Sequence, residues 1–388
     1  MSFQPTIFNS ARTSDLILEI SPSNQEKAWQ QSQRLTTATN QWQAYLNQLC
    51  LSAILPWLQE DYSSSVRPWL GSAALGSFWE LTNGTAVMID GARLVLVPSE
   101  TLDLSELRVP QEWVDIPEWA GDYYLPVQID PDEGWVRLWG YCTHQQLKRQ
   151  GMYETSDRSY TLEATDLVND ISAFGVARQL CPQEATRAQI APLPKLALAQ
   201  AQNLLQRLGN SALINPRLAI PFEFWGALLA HGGWRQELYQ LRLGNTDNWS
   251  VVKWLQQEVS QLAQDWGWGK LEFQPVTQGA RGSIAADKTA SLTRKLVIAG
   301  KGYQLRVIPK SAGVWRFELQ SEMMGNQIPI GFKLRLLTED LQPFANNEDI
   351  ARKEVDRLYI DVVVESGEGL VWEIEPLPEN SDREILRF

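Results

Sequence analysis

Residues 123–141 read YYLPVQIDPDEGWVRLWGY. Two apolar-rich runs flank Asp130-Pro131-Asp132-Glu133-Gly134, with proline near the start of the loop and glycine at its end, which is the composition of a five-residue hairpin loop. Strand alternation places Trp135, Arg137, Trp139 and Tyr141 on one face of the second run and Val136, Leu138 and Gly140 on the other. An arginine between two tryptophans has two readings. Indole faces attract guanidinium groups, so an open face would be a recognition groove of the kind small barrels offer to peptides. A closed face would be core, packed under the helix that carries Trp42 and Trp57. The Arg137 head would then reach a carboxylate such as Asp130 or Glu133, because charged groups are seldom buried unpaired.

Upstream, FWELT (78–82), TAVMI (85–89) and ARLVLV (92–97) are separated by Asn83-Gly84 and Asp90-Gly91, pairs that supply the positive φ of two-residue hairpins. Five short strands predict a small antiparallel β-barrel, SH3-like. Before it, residues 1–20 form a loose lead-in with a strand at Leu16–Ile20. Ser23 and Glu26 then match a capping box, and Leu35, Ala38, Trp42, Tyr45, Leu49 and Ala53 recur at helical spacing as far as Pro56. After the barrel, THQQLKRQG (143–151) reads as a short helix capped by Thr143, and Ser159–Glu163 as a strand.

PQEATRAQIAPLPK (182–195) has three prolines and no apolar period, the signature of a linker. The pattern then turns helical through LALAQAQNLLQRLG, FEFWGALLA, WRQELYQLRLG and VVKWLQQEVSQLAQDW, the last capped by Asp247 or Asn248. From Leu271 onward about six short strands predict an antiparallel sandwich. The expectation is an α+β chain: an N-terminal helix plus small barrel over 1–182, a linker over 183–195, a helical segment over 196–270 and a C-terminal β-sandwich over 271–388.

The chain has 388 residues, 17 tryptophans and a formal charge of −12. An acidic whole disfavours broad binding to phosphate backbones or anionic lipid, since that binding is driven by Lys and Arg. The charge is uneven. Ser99 to Gly134 carries ten acids against one base, Arg108, and Gly267 to Arg316 carries nine bases against two acids. The two stretches could pair with each other, or the basic one could make a local, salt-sensitive nucleic-acid contact. Cys50, Cys142 and Cys181 form no CxxC pattern, and no run has the 18 or so apolar residues of a membrane span. A cytoplasmic protein without disulfides or a membrane segment is expected.

The motifs of common chemistries are incomplete. Asp130, Asp132 and Gly134 resemble the opening of a calcium loop, but the later ligand positions hold Gly134, Trp135 and Tyr141. His231-Gly232-Gly233 resembles an esterase oxyanion motif without the GxSxG elbow, and reads better as a break between two helices. Cys142 and His144 would form a dyad only if both lay on one strand face. Ala299-Gly300-Lys301-Gly302 lies between strands and reads as a hairpin turn, not a phosphate loop. No metal or cofactor is expected. Glu112, Asp115, Glu118, Asp122, Asp130, Asp132 and Glu133 lie among Trp113, Trp119, Tyr123, Tyr124 and Trp135. That mixture is the material of a carbohydrate-binding or carboxylate-dependent hydrolytic site.

QAYLNQLCLSAILPWL (43–58), WELTNGTAVMIDGARLVLVPSE (79–100) and LRVPQEWVDIPEWAGDYYLPVQIDPDEGWVRLWGYCTHQQLK (107–148) resemble a family catalogued as domain of unknown function 1822, found mainly in cyanobacteria. Residues 251–275 and the strands from Ile328 add weaker similarity. The resemblance carries no assigned activity and no catalytic residues. It suggests a regulatory partner. The leading expectation is a non-enzymatic protein-interaction or regulatory protein, with Trp135, Arg137, Trp139, Tyr141, Asp130, Asp132 and Glu133 as candidate partner-binding residues. The alternative is the carbohydrate or hydrolytic site over 112–135.

Overall fold

The computed structural model describes residues 15–171, 173–175, 184–245, 250–256, 259, 263–264, 266–273, 289–323, 325–379 and 382–388. Cys181, the Asp247/Asn248 cap and residues 274–288 of the basic stretch lie outside them. The fold is mixed α and β, with several largely antiparallel sheets. Among the described residues no helix is long and apolar enough to cross a membrane.

The hairpin at the centre of the N-terminal sheet forms as its composition dictates. Tyr123–Asp130 pairs antiparallel with Trp135–Leu138, Asp130 opposite Trp135. The loop is closed by the Gly134 amide on the Asp130 carbonyl at 2.9 Å and by the Glu133 amide on Asp130 Oδ1 at 2.9 Å. The sheet has seven strands. Its main order is Leu16–Glu19, Trp135–Leu138, Tyr123–Asp130, Ala92–Ser99, Thr85–Ile89, Arg67–Pro68, and Cys142–Thr143 pairs with the start of Tyr123–Asp130. Ala92–Ser99 and Tyr123–Asp130 run parallel, so the set is not the purely antiparallel one expected. Parallel neighbours need a crossover of a dozen or more residues. Residues 100–122 supply it, and on the way they lay Glu106–Pro110 into a second, three-stranded sheet with Ser159–Glu163 and Met152–Glu154.

FWELT is not a strand. Ser72–Trp79 is a helix, with Ala74, Leu75, Phe78 and Trp79 buried. A short apolar run fits a buried helix as well as a strand, and here tertiary burial decides. Asn83-Gly84 therefore joins a helix to a strand. Gly84 (φ +111°) is required because a Cβ there would lie 2.6 Å from the Trp113 indole nitrogen. Asp90-Gly91 is the expected hairpin turn between Thr85–Ile89 and Ala92–Ser99, with both residues at positive φ.

The single long N-terminal helix is two helices. Pro22–Ser32 is capped by Ser21, whose hydroxyl accepts from the Asn24 amide at 3.3 Å. Ser23 lies inside it. Ala38–Asp61 is capped by Thr37 and runs through Pro56 instead of stopping there. Leu49, Cys50, Ile54 and Leu58 are fully buried along it. Their packing outweighs the one backbone bond that proline removes.

The helices Leu198–Leu208, Phe222–Ala230 and Gly232–Arg242 form where helical periodicity places them. They share one core with the N-terminal sheet, joined by Leu337, Val371 and Ile385 from the C-terminal part. A second core runs from Val251 to Phe388. It receives side chains from a five-stranded sheet (Trp268–Phe273, Thr289–Ile298, Lys301–Ser311, Val314–Ser321, Arg357–Val363). A four-stranded sheet (Glu348–Ile350, Lys333–Thr338, Gly369–Glu375, Ile385–Arg387) supplies the rest. Residues 184–195 have no regular structure but are not loose. Thr186 and Arg187 bond Asp122, and the Ala188 amide bonds His144.

Both histidines are structural. His231 caps Gly232–Arg242, its Nδ1 accepting from the Trp234 amide at 3.2 Å and its Nε2 donating to the Glu339 carbonyl at 2.9 Å. Burial, with Arg383 and Arg235 adding like charge, pushes its pKa down to about 3. The unfolded chain, whose histidines titrate near ~6.5, therefore takes up a proton that the folded chain refuses. This contribution to stability is complete above that pH and is lost as pH falls toward about 3. In urea unfolding measured from pH 7 to pH 4, the parent should lose roughly 1.4 kcal/mol per pH unit more than His231→Asn, which keeps a capping acceptor and does not titrate. Parallel curves for the two proteins would refute this assignment.

Candidate interaction site

The Trp135–Tyr141 face is closed. Trp135 is 8% exposed, Arg137 4%, Trp139 6% and Tyr141 5%. Leu16–Glu19 pairs with Trp135–Leu138 on one side and Tyr123–Asp130 on the other. Gln128, opposite Arg137, donates to the Thr101 carbonyl at 3.0 Å and so ties the crossover segment to this sheet. Of the two readings, the closed one describes this face. The details of the covered reading also change. The Arg137 guanidinium pairs with Asp15, Nε to Oδ2 at 2.8 Å, and not with Asp130 or Glu133. Trp42 packs on Trp29 and Tyr45, and Trp57 on Tyr62, in place of the strand tryptophans.

The acids of 112–122 are mostly committed to structure. Glu112 is fully buried and accepts from Arg217 at 2.9 and 2.7 Å and from Trp225 Nε1 at 2.8 Å. Asp115 takes Lys148 Nζ at 2.9 Å and Tyr160 Oη at 2.8 Å. Asp122 takes Arg187, Thr186 and the Arg93 amide, and these bonds hold its carboxyl below the usual range against the opposing effect of burial. Trp113 and Trp119 are buried against Phe78, so neither is a sugar platform. Cys142 and His144 do not meet as a dyad. Burial pushes the thiol far up, and both imidazole nitrogens are used, by Val114 and Ala188. Basic side chains of 267–316 find acids within the C-terminal part, as in Arg316–Asp361 and Arg306–Glu318. Among the described residues, no ion pair joins them to the acidic stretch.

What the structure does expose is an aromatic cluster that the sequence reading missed. Trp29 is 47% and Trp42 38% exposed. Trp29 meets Trp42 edge-on at 6.5 Å and Tyr45 at 5.6 Å, while Trp42 and Tyr45 lie 5.3 Å apart. The Trp42 indole donates to Glu100 at 2.6 Å. The Tyr45 hydroxyl is raised by burial first and then by Asp132. The Asp130–Gly134 loop is fastened beside the first helix by Gln25 Nε2 on the Pro131 carbonyl at 2.8 Å and by the Ile20 amide on the Gly134 carbonyl at 2.8 Å. Asp132 and Glu133 stay exposed there. The helix break at 33–37 folds Trp29 back onto Trp42. The available signal was a single tryptophan in an otherwise polar helix, PSNQEKAWQQS.

A second concavity, of about 400 Å³, lies between the crossover segment and the two N-terminal sheets, with Trp139 and Val127 in its wall. In its wall Arg108 bonds Glu106, Asp157 and Ser159, and Arg217 pairs with Glu112.

The burial of Arg137 makes the opening strand a stability determinant. Asp15→Ala should destabilise the fold by about 3–5 kcal/mol, because it removes the carboxylate that pairs with a buried guanidinium. The double change Asp15→Leu with Arg137→Met should recover most of that loss in a double-mutant cycle. Additive losses would show that the pair is not coupled.

No curated protein and no solved structure matches the chain. One family model does, over residues 18–387, and it therefore spans both cores, the aromatic cluster and the strand Trp135–Leu138. By that match the chain belongs to the family described as Protein of unknown function (DUF1822).

Proposed function

We propose that the protein is a non-enzymatic binding protein that docks a basic segment of another protein on the surface formed by Trp29, Trp42 and the acids Glu100, Asp132 and Glu133. The observation that carries this reading is the pair of half-exposed tryptophans set beside carboxylates. Large aromatic side chains left open to water are the common anchors of protein interfaces. Indole faces near acids suit Lys or Arg through cation–π attraction and charge together. The net charge of −12 adds long-range attraction for a basic partner. A regulatory role in the cytoplasm fits a chain of this kind. The same reading takes the two C-terminal sheets as faces of a sandwich, since one core receives side chains from both.

The test uses the full chain and a lysine-rich peptide, followed by tryptophan fluorescence. Binding should weaken about tenfold or more in Trp42→Ala and in Trp29→Ala, and fall further as salt rises. Charge reversal at Asp132 and Glu133 should weaken it as well, with little change in unfolding free energy, since both side chains are solvated. Affinity capture from a native host should return a stoichiometric partner with a basic segment, lost in the double tryptophan variant. Peptide binding indifferent to Trp29 and Trp42, or capture unchanged by their removal, would overturn the proposal.

A further inference from the structure

The cleft of about 400 Å³ between the crossover segment and the two N-terminal sheets falls in the range of about 300–1,000 Å³ that small-ligand sites occupy. Its apolar side is set by the parallel pair Ala92–Ser99 and Tyr123–Asp130, in which Val97 lies opposite Pro126 and Pro98 opposite Val127. Proline has no N–H, so Pro98 and Pro126 contribute carbon surface and no backbone donor. The Pro98 carbonyl is taken by Asn83 Nδ2 at 3.0 Å. Trp139 lines the cleft as well.

The polar side comes from the three-stranded sheet. Residues two apart on a strand share a face, which puts Glu106, Arg108 and Pro110 together, and all three line the cleft. The Arg108 side chain is 46% exposed and that of Glu106 37%, so a ligand reaches both. A guanidinium carries five N–H donors. On Arg108 four are used, two on Glu106 Oε1, one on Asp157 and one on Ser159. The second Nη2 hydrogen and Glu106 Oε2 have no partner among the described residues. Arg217 braces this wall through the Asp157 carbonyl at 2.8 Å and the Arg158 carbonyl at 3.0 Å, while Glu112 meets its charge. From the crossover segment, Ser99 Oγ accepts from the Thr101 amide and Thr101 Oγ1 from the Asp103 amide, each at 3.1 Å. The proton of each hydroxyl has no acceptor among the described residues.

These groups select the ligand. An anion would meet Glu106 and Asp157 beside Arg108, and a cation would meet Arg108 and Arg217. Either would have to displace an existing ion pair. A hydroxyl displaces nothing, because it donates to a carboxylate and accepts from a guanidinium N–H at once. The open groups are one carboxylate oxygen, one N–H and two hydroxyls, spread over two walls beside a carbon surface. The complement carries several hydroxyls on a compact C–H framework.

We infer that this cleft binds a neutral saccharide of one or two rings. The ring C–H groups lie against Pro98, Pro126 and Val127, and the ring hydroxyls bond Glu106 Oε2, Arg108 Nη2 and the hydroxyls of Ser99 and Thr101. The site uses neither the committed acids of 112–122 nor the surface of Trp29 and Trp42.

Isothermal titration of the full chain against glucose, galactose, mannose, maltose, sucrose and trehalose tests the site. At least one should bind with a dissociation constant on the order of 1 mM or tighter. Glu106→Ala should weaken that sugar about tenfold, and Thr101→Val about threefold to tenfold. Thr101 is exposed and Glu106 belongs to an exposed ion pair, so both variants should melt close to the parent. The acid glucuronate and the amine glucosamine should bind no more tightly than the neutral sugars. Silence from every neutral sugar overturns the inference. So does a sugar bound equally by the parent and both variants, or glucuronate or glucosamine bound more tightly than any neutral sugar.

Discussion

Arg235 is enclosed where three parts of the chain meet. Its guanidinium lies 4.0 Å over the Phe78 ring, its Nε donates to Ser77 Oγ at 3.2 Å, its Nη1 donates to the Leu229 carbonyl at 2.9 Å, and its Nη2 pairs with Asp382. Burial, with Arg383 nearby, lowers its pKa to about 9. A buried guanidinium is tolerated only where geometry satisfies its donors. Here the donors reach the helix beside the N-terminal sheet, the middle helices and the C-terminal tail at once. That requirement fixes how the parts sit, because moving any one of them would leave an enclosed charge without a partner.

The same constraint recurs in pairs distant in sequence. Glu80 and Arg242, both fully buried, join the helix Ser72–Trp79 to Gly232–Arg242, and Glu80 also bonds Thr36 in the break between the first two helices. Glu112 with Arg217 and Trp225 joins the crossover segment to the middle helices. Arg294 with Glu384, beside Trp268 and Trp372, closes the C-terminal part. Apolar packing supplies most of the stabilisation, but it is not directional. Ion pairs of this kind penalise misplacement more than they reward correct placement, so their contribution is to select one arrangement among many compact ones.

This explains which parts of the fold were legible in the sequence. The hairpin around Asp130–Gly134, the Asp90-Gly91 turn, the Thr143-capped helix and most C-terminal strands follow from local chemistry, and the turn residues mark them. The helix Ser72–Trp79 did not show, because FWELT suits either a strand or a buried helix and only the surrounding core decides. The parallel pairing of Ala92–Ser99 with Tyr123–Asp130 did not show either, because nothing in either strand encodes its neighbour's direction. Asp15 was passed over as the partner of Arg137 for a similar reason. Asp130 and Glu133 are close in sequence, whereas Asp15 becomes close only when Leu16–Glu19 joins the sheet edge. That the face had to be core or groove was readable. Which of the two was not, since the answer depends on what covers it.

The acids and aromatics of the N-terminal half therefore divide by their partners and not by their spacing. Glu112, Asp115 and Asp122 look like a catalytic cluster in the sequence, yet each meets a cation or a ring of donors supplied by a later segment. Trp113, Trp119, Trp135 and Trp139 are absorbed in the same way. Glu100, Asp132, Glu133, Trp29 and Trp42 differ because the fold supplies no interior for them. The turn at 33–37 sets one tryptophan against the other, and the hairpin loop is pinned beside them by backbone bonds that leave its side chains in water. Since the interior already contains most of the other tryptophans around it, this pair at the surface cannot be attributed to a shortage of core. An exposed aromatic pair flanked by carboxylates is a costly arrangement for a fold that is otherwise so consistent in covering its rings, and under the proposed function an external basic group would complete it.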